Sequence, residues 1–191
     1  MSGITEKVFS EAEVRKLGIK IAGAEKADVN ECVGSVEEEL EVKTVTKKCR
    51  GVVSKSRTKG TGKGTLKVTA HVEQDLFANM YGMEQKELKD GVIAYGMNSL
   101  HPVMCITMEV LDEDDNVKYK AYPNCAIQSA LSRKVENGAE EISEVEMEIT
   151  IMPDEYGNGL YEAVEADLQD QTLKTQWLEA FDAAKVRVEE A

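Results

Sequence analysis

The sequence predicts a mainly β protein in which two packed antiparallel sheets form a sandwich or barrel, with one short flanking helix and a C-terminal helix. Aromatic residues make up only 5% of the 191 residues, while valine, isoleucine and threonine are plentiful, a composition that favours pleated sheets. Apolar and polar residues alternate along most segments. The length suits one domain, so we expect residues 1–191 to fold as a unit.

The first elements are a polar arm and a strand. Residues 1–13 contain few apolar side chains to bury, so we expect a flexible N-terminal arm. Leu17, Ile19 and Ile21 alternate with polar neighbours and predict a strand. Residues 22–36 are mixed in character and predict a loop.

A long β-hairpin is expected next. Alternation runs through LEVKTVT at 40–46, is lost in a polar stretch, and resumes at Leu66, Val68 and Ala70. Two alternating runs joined by a glycine-rich polar segment are typical of a hairpin. We place its protruding basic part at residues 47–64 and its turn at Gly60, Gly62 and Gly64, because glycine readily adopts positive φ.

The remaining segments predict further strands between two helices. Residues 73–82, EQDLFANMYG, place Leu76 and Met80 on one helical face, and Gly82 supplies a stop. Strand patterns follow at 92–95, 102–111, 117–122, 127–135 and 143–152. A C-terminal helical extension covers residues 165–191, with a helix over about 170–184 whose apolar stripe is Leu173, Trp177, Phe181 and Ala184.

The glycine-rich segment at 55–69, KSRTKGTGKGTLKVT, does not match a phosphate-binding loop. Such a loop needs Ser or Thr directly after its Gly-Lys pair and then a helix. Here Gly62 and Lys63 are followed by Gly64, and the next residues alternate as a strand. We therefore interpret the segment as a turn.

Other catalytic and metal-binding patterns are also incomplete. His71 and His101 belong to no recognisable motif, and the four cysteines form no CxxC pair, so we expect reduced thiols in a cytosolic protein. Asp112, Asp114 and Asn116 imitate the start of a calcium loop without its glycine and final glutamate, so an acidic turn is expected. We expect no enzyme activity, no metal and no cofactor.

No segment approaches the roughly 20 apolar residues of a membrane span. The N-terminal MSGITEKVF also contains no apolar run. We therefore expect neither a signal peptide nor a membrane partner.

Charge is distributed unevenly along the chain. The net charge is −13, yet residues 42–72 contain nine lysines and arginines and no acid, which leaves −22 on the remaining residues. A basic hairpin suits either nucleic acid or the acidic surface of another copy. The second partner, another copy of the chain, is favoured because residues 42–72 contain no aromatic side chain for base stacking and the acidic body repels a polyanion.

A nucleic-acid-binding module using residues 47–67 remains the alternative. The predicted contact residues are Lys47, Lys48, Arg50, Lys55, Arg57, Lys59 and Lys63.

The order of these features resembles the major tail tube proteins of long-tailed bacteriophages and prophages. The resemblance extends from about Val14 to Val164. It rests on the polar hairpin that runs into GKGTLKVTAHVEQDLFANMYGM, and on the paired strands in VMCITMEVLDEDDNVKYKAYPNCAIQSALSRKVENGAEEISEVEMEITIMP. The segment after Val164 has no counterpart in the family's common core.

This resemblance implies the tail-tube fold, which contractile tails and type VI secretion tubes share. It implies hexameric rings of the chain itself, stacked into a tube in the virion tail and assembled in the bacterial host cytoplasm. Tape measure and tail terminator proteins would be further partners, and DNA would pass through the lumen without specific binding. The arm at 1–13 and the seven basic residues would then make ring-to-ring contacts.

Overall fold

The computed structural model describes residues 8–188, and its secondary structure is mainly strand. The strands are β1 (Glu13–Ile21), β2 (Asp28–Asn30), β3 (Val33–Cys49), β4 (Val52–Ala70), β5 (Met104–Leu111), β6 (Val117–Ile127), β7 (Val145–Ile151) and β8 (Tyr161–Val164). The helices are α1 (Gln74–Met80) and α2 (Gln171–Ala180), with a short 3-10 turn at Glu165–Asp167. The predicted mainly β class is confirmed.

All eight strands belong to one antiparallel sheet, where the sequence predicts two. The strand order is β2-β1-β5-β6-β7-β4-β3, and β8 pairs with β6. The strand β6 joins the two halves, because its first residues pair with β5 while Cys125, Ala126 and Ile127 pair with β7. Because β6 pairs first with β5 and then with β7, the two predicted sheets are joined into one.

The sheet curls around the larger of the two hydrophobic clusters in residues 8–188, here called the core. Inward side chains at alternate positions come from both halves, for example Leu66 and Val68 of β4 and Ile106 of β5. The helix α1 adds Phe77 and Met80 to the same core, which confirms its predicted apolar face. The curl also brings β3 into contact with β1, although the two lie on opposite sides of the strand order.

The C-terminal helix α2 covers the outer face of β1, β5 and β6. Its Trp177 is 3% exposed and packs with Tyr119, and the indole Nε1 donates a hydrogen bond to the Lys120 carbonyl at 3.1 Å. Gly18 in β1 permits the close approach, since a Cβ there would lie 2.5 Å from the Leu178 carbonyl oxygen. With the core on one face and α2 on the other, every residue of β5 is buried.

Several predicted boundaries differ from the structure. The expected loop at 22–36 contains β2 and the start of β3, and α2 ends at Ala180, where Phe181 adopts an extended ψ of 135°. Residues 92–95 form an irregular segment instead of a strand, because Val92 and Ala94 donate their backbone hydrogen bonds to the carbonyls of Lys89 and Met83. The predicted strand at 127–135 also ends at once, since β6 stops at Ile127.

The predicted N-terminal arm is described only in part. Residues 1–7 lie outside the described residues. Within residues 8–12, the Phe9 ring lies 4.4 Å from the Lys118 ammonium, and Glu11 pairs with Lys118 and Lys120 of β6. This part of the arm is therefore held against the sheet.

No helix in the described part of the chain is long and apolar enough to cross a membrane.

Replacing Trp177 by Ala should destabilise the fold by about 3–5 kcal/mol, since the side chain is buried between α2 and the sheet. Guanidinium unfolding followed by far-UV circular dichroism measures the change. Tryptophan fluorescence cannot be used, because the variant lacks the only tryptophan of the chain. The control Thr175→Ala, on the exposed side of α2, should change the free energy of unfolding by less than about 0.5 kcal/mol. Equal stabilities for the two variants would show that α2 does not pack as described.

Candidate functional site

The most distinctive feature of the surface is a two-stranded ribbon that extends beyond the sheet. Strands β3 and β4 pair from Val33 and Ala70 to the tip at Cys49 and Val52. However, β7 pairs with β4 only from Gly64 to Ala70. Residues 41–63, here called the ribbon, thus have no further strand beside them within residues 8–188. At about 3.3 Å per residue, the ribbon extends roughly 30 Å from Glu41 to its tip.

The tip of the ribbon is a two-residue turn formed by Arg50 and Gly51. Both have positive φ, 52° and 80°, as in the type I′ turn whose twist matches that of the flanking strands. The predicted turn at Gly60, Gly62 and Gly64 is therefore wrong. Sequence reasoning favoured the glycine-rich segment and overlooked the Arg-Gly pair.

The three glycines lie within β4 instead. The pairing register shifts between Leu40 and Val42, and Gly62 opposite this shift has a φ of 73°. A Cβ on Gly62 would lie 2.7 Å from the Gly157 carbonyl oxygen. Gly64 is also crowded, by the backbone of β3. The glycines thus form a bulge at the base of the ribbon, where the strand bends and a loop approaches.

The ribbon has a basic face. Residues directly opposite in an antiparallel pair project to the same side. The opposed pairs on this side are Lys43 with Lys59, Val45 with Arg57, and Lys47 with Lys55. All six side chains are exposed. Five positive charges and one valine therefore share one surface, hereafter the basic face.

The other face of the ribbon is neutral over the same length. Thr44 lies opposite Thr58, with the two hydroxyl oxygens 2.7 Å apart, and Thr46 lies opposite Ser56. This hydroxyl face has no charge between Thr44 and Thr46 on β3 or between Ser56 and Thr58 on β4. Over the stretch from Thr44 to Thr46 and from Ser56 to Thr58, the ribbon therefore has one charged and one uncharged side.

The basic face is not neutralised by any ion pair in the described part of the chain. Lysines directly opposite each other, as in Lys43 with Lys59, repel and destabilise a strand pair. Among residues 8–188, no carboxylate forms an ion pair with any of the five cations. A negatively charged surface placed on this face would remove the repulsion.

The seven predicted contact residues fall into two groups. Lys47, Lys55, Arg57 and Lys59 lie together on the basic face. The others do not join them: Lys48 projects to the opposite side, Arg50 occupies the turn and Lys63 lies in the bulge. Lys43 was missing from the predicted set, although its even spacing from Lys47 along the alternating strand indicated the same face.

Charged side chains fix the root of the ribbon to the sheet. Glu38 of β3 accepts hydrogen bonds from Tyr122 and from Lys120, whose Nζ lies 3.3 Å away. Lys120 also contacts Glu11 at 2.9 Å and Glu162 at 3.3 Å. Burial alone would lower the pKa of Lys120, but the three carboxylates outweigh it and the pKa is raised. Similarly, burial opposes ionisation of Glu11, yet the two lysines lower its pKa.

Two of the candidate catalytic and metal-binding residues, His101 and Asp112, have structural partners. His101 donates from Nδ1 to the Ile127 carbonyl at 2.9 Å, and its Nε2 lies 3.2 Å from the Tyr95 hydroxyl. Asp112 accepts from the backbone of Asp114 and Asn116, which confirms the acidic turn. Over residues 8–188 no group of three or more His, Cys, Asp or Glu residues is placed to hold a metal ion.

Salt should stabilise the ribbon of the monomeric chain, because it screens the opposed lysines. Raising the salt concentration from about 0.01 M to 1 M shortens the Debye length from about 30 Å to 3 Å. We expect amide hydrogen exchange in the ribbon to slow by about two- to fivefold, the equivalent of one such cross-strand pair. In Lys43→Glu, where an ion pair with Lys59 becomes possible, salt should instead speed exchange. If the exchange rate in the ribbon does not change with salt concentration in either protein, the opposed lysines do not destabilise the ribbon.

The ion pairs of Glu11 should contribute to stability in a pH-dependent way. Because the folded chain lowers the pKa of Glu11 below 4.5, its contribution is present above that pH and is lost as the pH falls through the folded value. Glu11→Gln should therefore be less stable than the unmodified chain at about pH 6, and the difference between the two should be smaller at about pH 3 in urea unfolding. Glu13→Gln, without an ion pair in the described residues, should match the unmodified chain at both values. If the difference in unfolding free energy between Glu11→Gln and the unmodified chain is the same at both pH values, the ion pairs of Glu11 do not contribute to stability.

No family model matches this sequence, and no curated protein matches it. A solved structure, the tube-terminating cap of the anti-feeding prophage, is 8% identical to this chain. The alignment covers 86% of this chain and 99% of the cap chain, with a TM-score of 0.45. A similarity of this extent carries no conclusion about fold or function.

Proposed function

We propose that this chain is a structural subunit that assembles with copies of itself into the tube of a bacteriophage or prophage tail. The observation that carries the proposal is the basic face of the ribbon. It projects five cations that form no ion pair within residues 8–188, from a chain of net charge −13. The resemblance of the sequence to major tail tube proteins gives the form of the assembly, hexameric rings stacked end to end.

The charge distribution favours another copy as the partner. Outside residues 42–72 the chain carries a charge of −22, so each copy offers both the cations and the anions of a complementary contact. A contact between two different surfaces of the same protein is heterologous, and repetition of such contacts builds rings or open stacks. Complementary charge also speeds association and fixes the register of the copies.

The ribbon is an extended binding element that needs no active site. It lies beyond the sheet, so a partner can contact it without disturbing the core. The charged root at Glu38 and Lys120 holds its base in a defined direction. A ribbon that gains stability beside a negatively charged partner suits a subunit that becomes more ordered when it assembles.

The setting of the proposed assembly follows from the resemblance. The subunit would be part of the virion tail, assembled in the host cytoplasm, with tape measure and tail terminator proteins as neighbours. A tube of acidic subunits offers DNA little gain from counterion release, so the genome would slide through without specific binding. No catalysis is part of this function.

Nucleic-acid binding is the second candidate, and one observation favours it. A two-stranded β-ribbon fits the DNA major groove, and cations on one face of such a ribbon can contact phosphates. Against it, residues 42–72 contain no aromatic residue and the body of the chain repels a polyanion. Fluorescence anisotropy with short duplex and single-stranded DNA at micromolar protein decides between them, since this candidate requires salt-sensitive binding.

A pair of ribbon variants with the same net charge tests the assembly proposal. Lys55→Gln with Arg57→Gln removes two positive charges from the basic face, while Thr44→Glu with Ser56→Glu adds two negative charges to the hydroxyl face. We expect the first variant to need at least about tenfold more protein to form rings or tubes, equivalent to about 1.4 kcal/mol. The second should assemble nearly as the unmodified chain does. Sedimentation velocity and negative-stain electron microscopy provide the readout.

Three outcomes would contradict the proposal. The unmodified chain could remain monomeric at high concentration, or the basic-face variant could form normal tubes. Equal defects in both variants would show that net charge, and not the basic face, governs assembly. Circular dichroism confirms that each variant is folded.

A further inference from the structure

We infer that the basic face of one copy docks on a polar groove at the root of the ribbon of a second copy. This inference rests on the proposed self-assembly and identifies the partner surface. The groove has a volume of about 850 Å³ and lies beside β4 and β7, next to residues 129–134 and 143–144. It is formed between the sheet and these loop residues in the single chain, without a partner.

The groove has an excess of negative charge. Four glutamates line it, at positions 37, 144, 146 and 148, against two lysines, Lys67 and Lys134. Both lysines already have carboxylate partners: Lys67 lies 3.8 Å from Glu37, and Lys134 lies 2.8 Å from Glu136. Within the described ranges, Glu144, Glu146 and Glu148 form no ion pair.

The remaining lining suits lysine and arginine side chains. Serine and threonine hydroxyls, including Ser35, Ser132 and Ser143, can accept hydrogen bonds from ammonium and guanidinium groups. Glu148 is held in place by Gln128, whose Nε2 donates to its carboxylate at 2.7 Å. Carboxylates positioned in this way lose little side-chain entropy when a cation arrives.

The ribbon cannot reach the groove of its own chain. Glu37 and Lys47 lie on the same strand, and about 3.3 Å per residue separates them by roughly 30 Å. Pairing between β3 and β4 on both sides of the bulge keeps the ribbon extended over that distance. The cations and the carboxylates must therefore meet between copies.

The two surfaces can meet in a stack. By the alternation of side chains along β3, the basic face continues the side of the sheet on which Glu37 lies. The twist of a free two-stranded ribbon is large, so the basic face rotates away from that side along the roughly 30 Å to the tip. A second copy located beyond the root of the first can thus present its groove to the basic face.

Charge reversal with rescue tests the contact. The ribbon reversal is Lys55→Glu with Arg57→Glu, and the groove reversal is Glu146→Lys with Glu148→Lys. Each alone should raise the protein concentration needed for assembly by at least about tenfold. The chain with all four changes should assemble within about threefold of the unmodified concentration, because the charges are complementary again. Glu84→Lys with Glu87→Lys, an equal reversal on an exposed loop, is the matched control and should assemble normally.

A disulfide readout covers the case in which a reversed chain fails to fold. In a Cys32→Ser, Cys49→Ser background, Arg57→Cys and Glu146→Cys are placed in separate chains and mixed. Oxidation should link the two chains only under conditions of assembly. Arg57→Cys mixed with Glu84→Cys should give no link.

The outcomes separate this inference from the proposed function. Normal assembly by the groove-reversed chain, together with failure of the ribbon-reversed chain, overturns the groove as partner and leaves self-assembly standing. Absence of rescue in the fourfold variant, or no link between Arg57→Cys and Glu146→Cys in assembled protein, also overturns the groove. An unmodified chain that never assembles overturns both.

Discussion

The function proposed for this protein depends on the repulsion between positive charges held opposite one another on a free β-ribbon. Lys43 lies opposite Lys59 and Lys47 opposite Lys55, in strands that have no neighbour beyond Gly64. A strand pair of this kind is destabilised by its own charges. The ribbon is therefore most stable when a negatively charged surface lies against its basic face. The complement is available on every other copy of an acidic chain.

The rest of the fold positions this ribbon. The curled sheet leaves β3 at its edge, and Glu38 on that edge bonds to Lys120 and Tyr122 of β6. Glu11 joins the same cluster from the N-terminal arm. The C-terminal helix covers the outer face of β6 from the other side, through Trp177. The arm, the ribbon root and the C-terminal helix thus all converge on one strand, β6, and the direction of the ribbon is set there.

Much of this could be predicted from the sequence, and the failures have physical causes. Alternation along residues 40–46 and 66–70 located the hairpin, and the four-residue spacing of Leu76 and Met80 located α1. The turn was misplaced because glycine occurs in turns, in bulges and where two backbones lie close together, and the sequence does not distinguish these cases. Only the pairing register shows that Gly62 belongs to a bulge. The basic face required that register too. The groove could not be predicted, since it joins β4, β7 and a distant loop.

Chemical cross-linking between isotopically distinct copies tests the central claim most directly. An equal mixture of ¹⁵N-labelled and unlabelled chain, assembled and treated with a zero-length amine–carboxyl cross-linker, should yield cross-linked peptides of mixed isotope composition. These peptides should join Lys47, Lys55 or Lys59 to glutamates of another copy. The account is contradicted if ribbon lysines in the assembled protein link only to carboxylates of their own chain, or if the basic face remains unlinked while other lysines react.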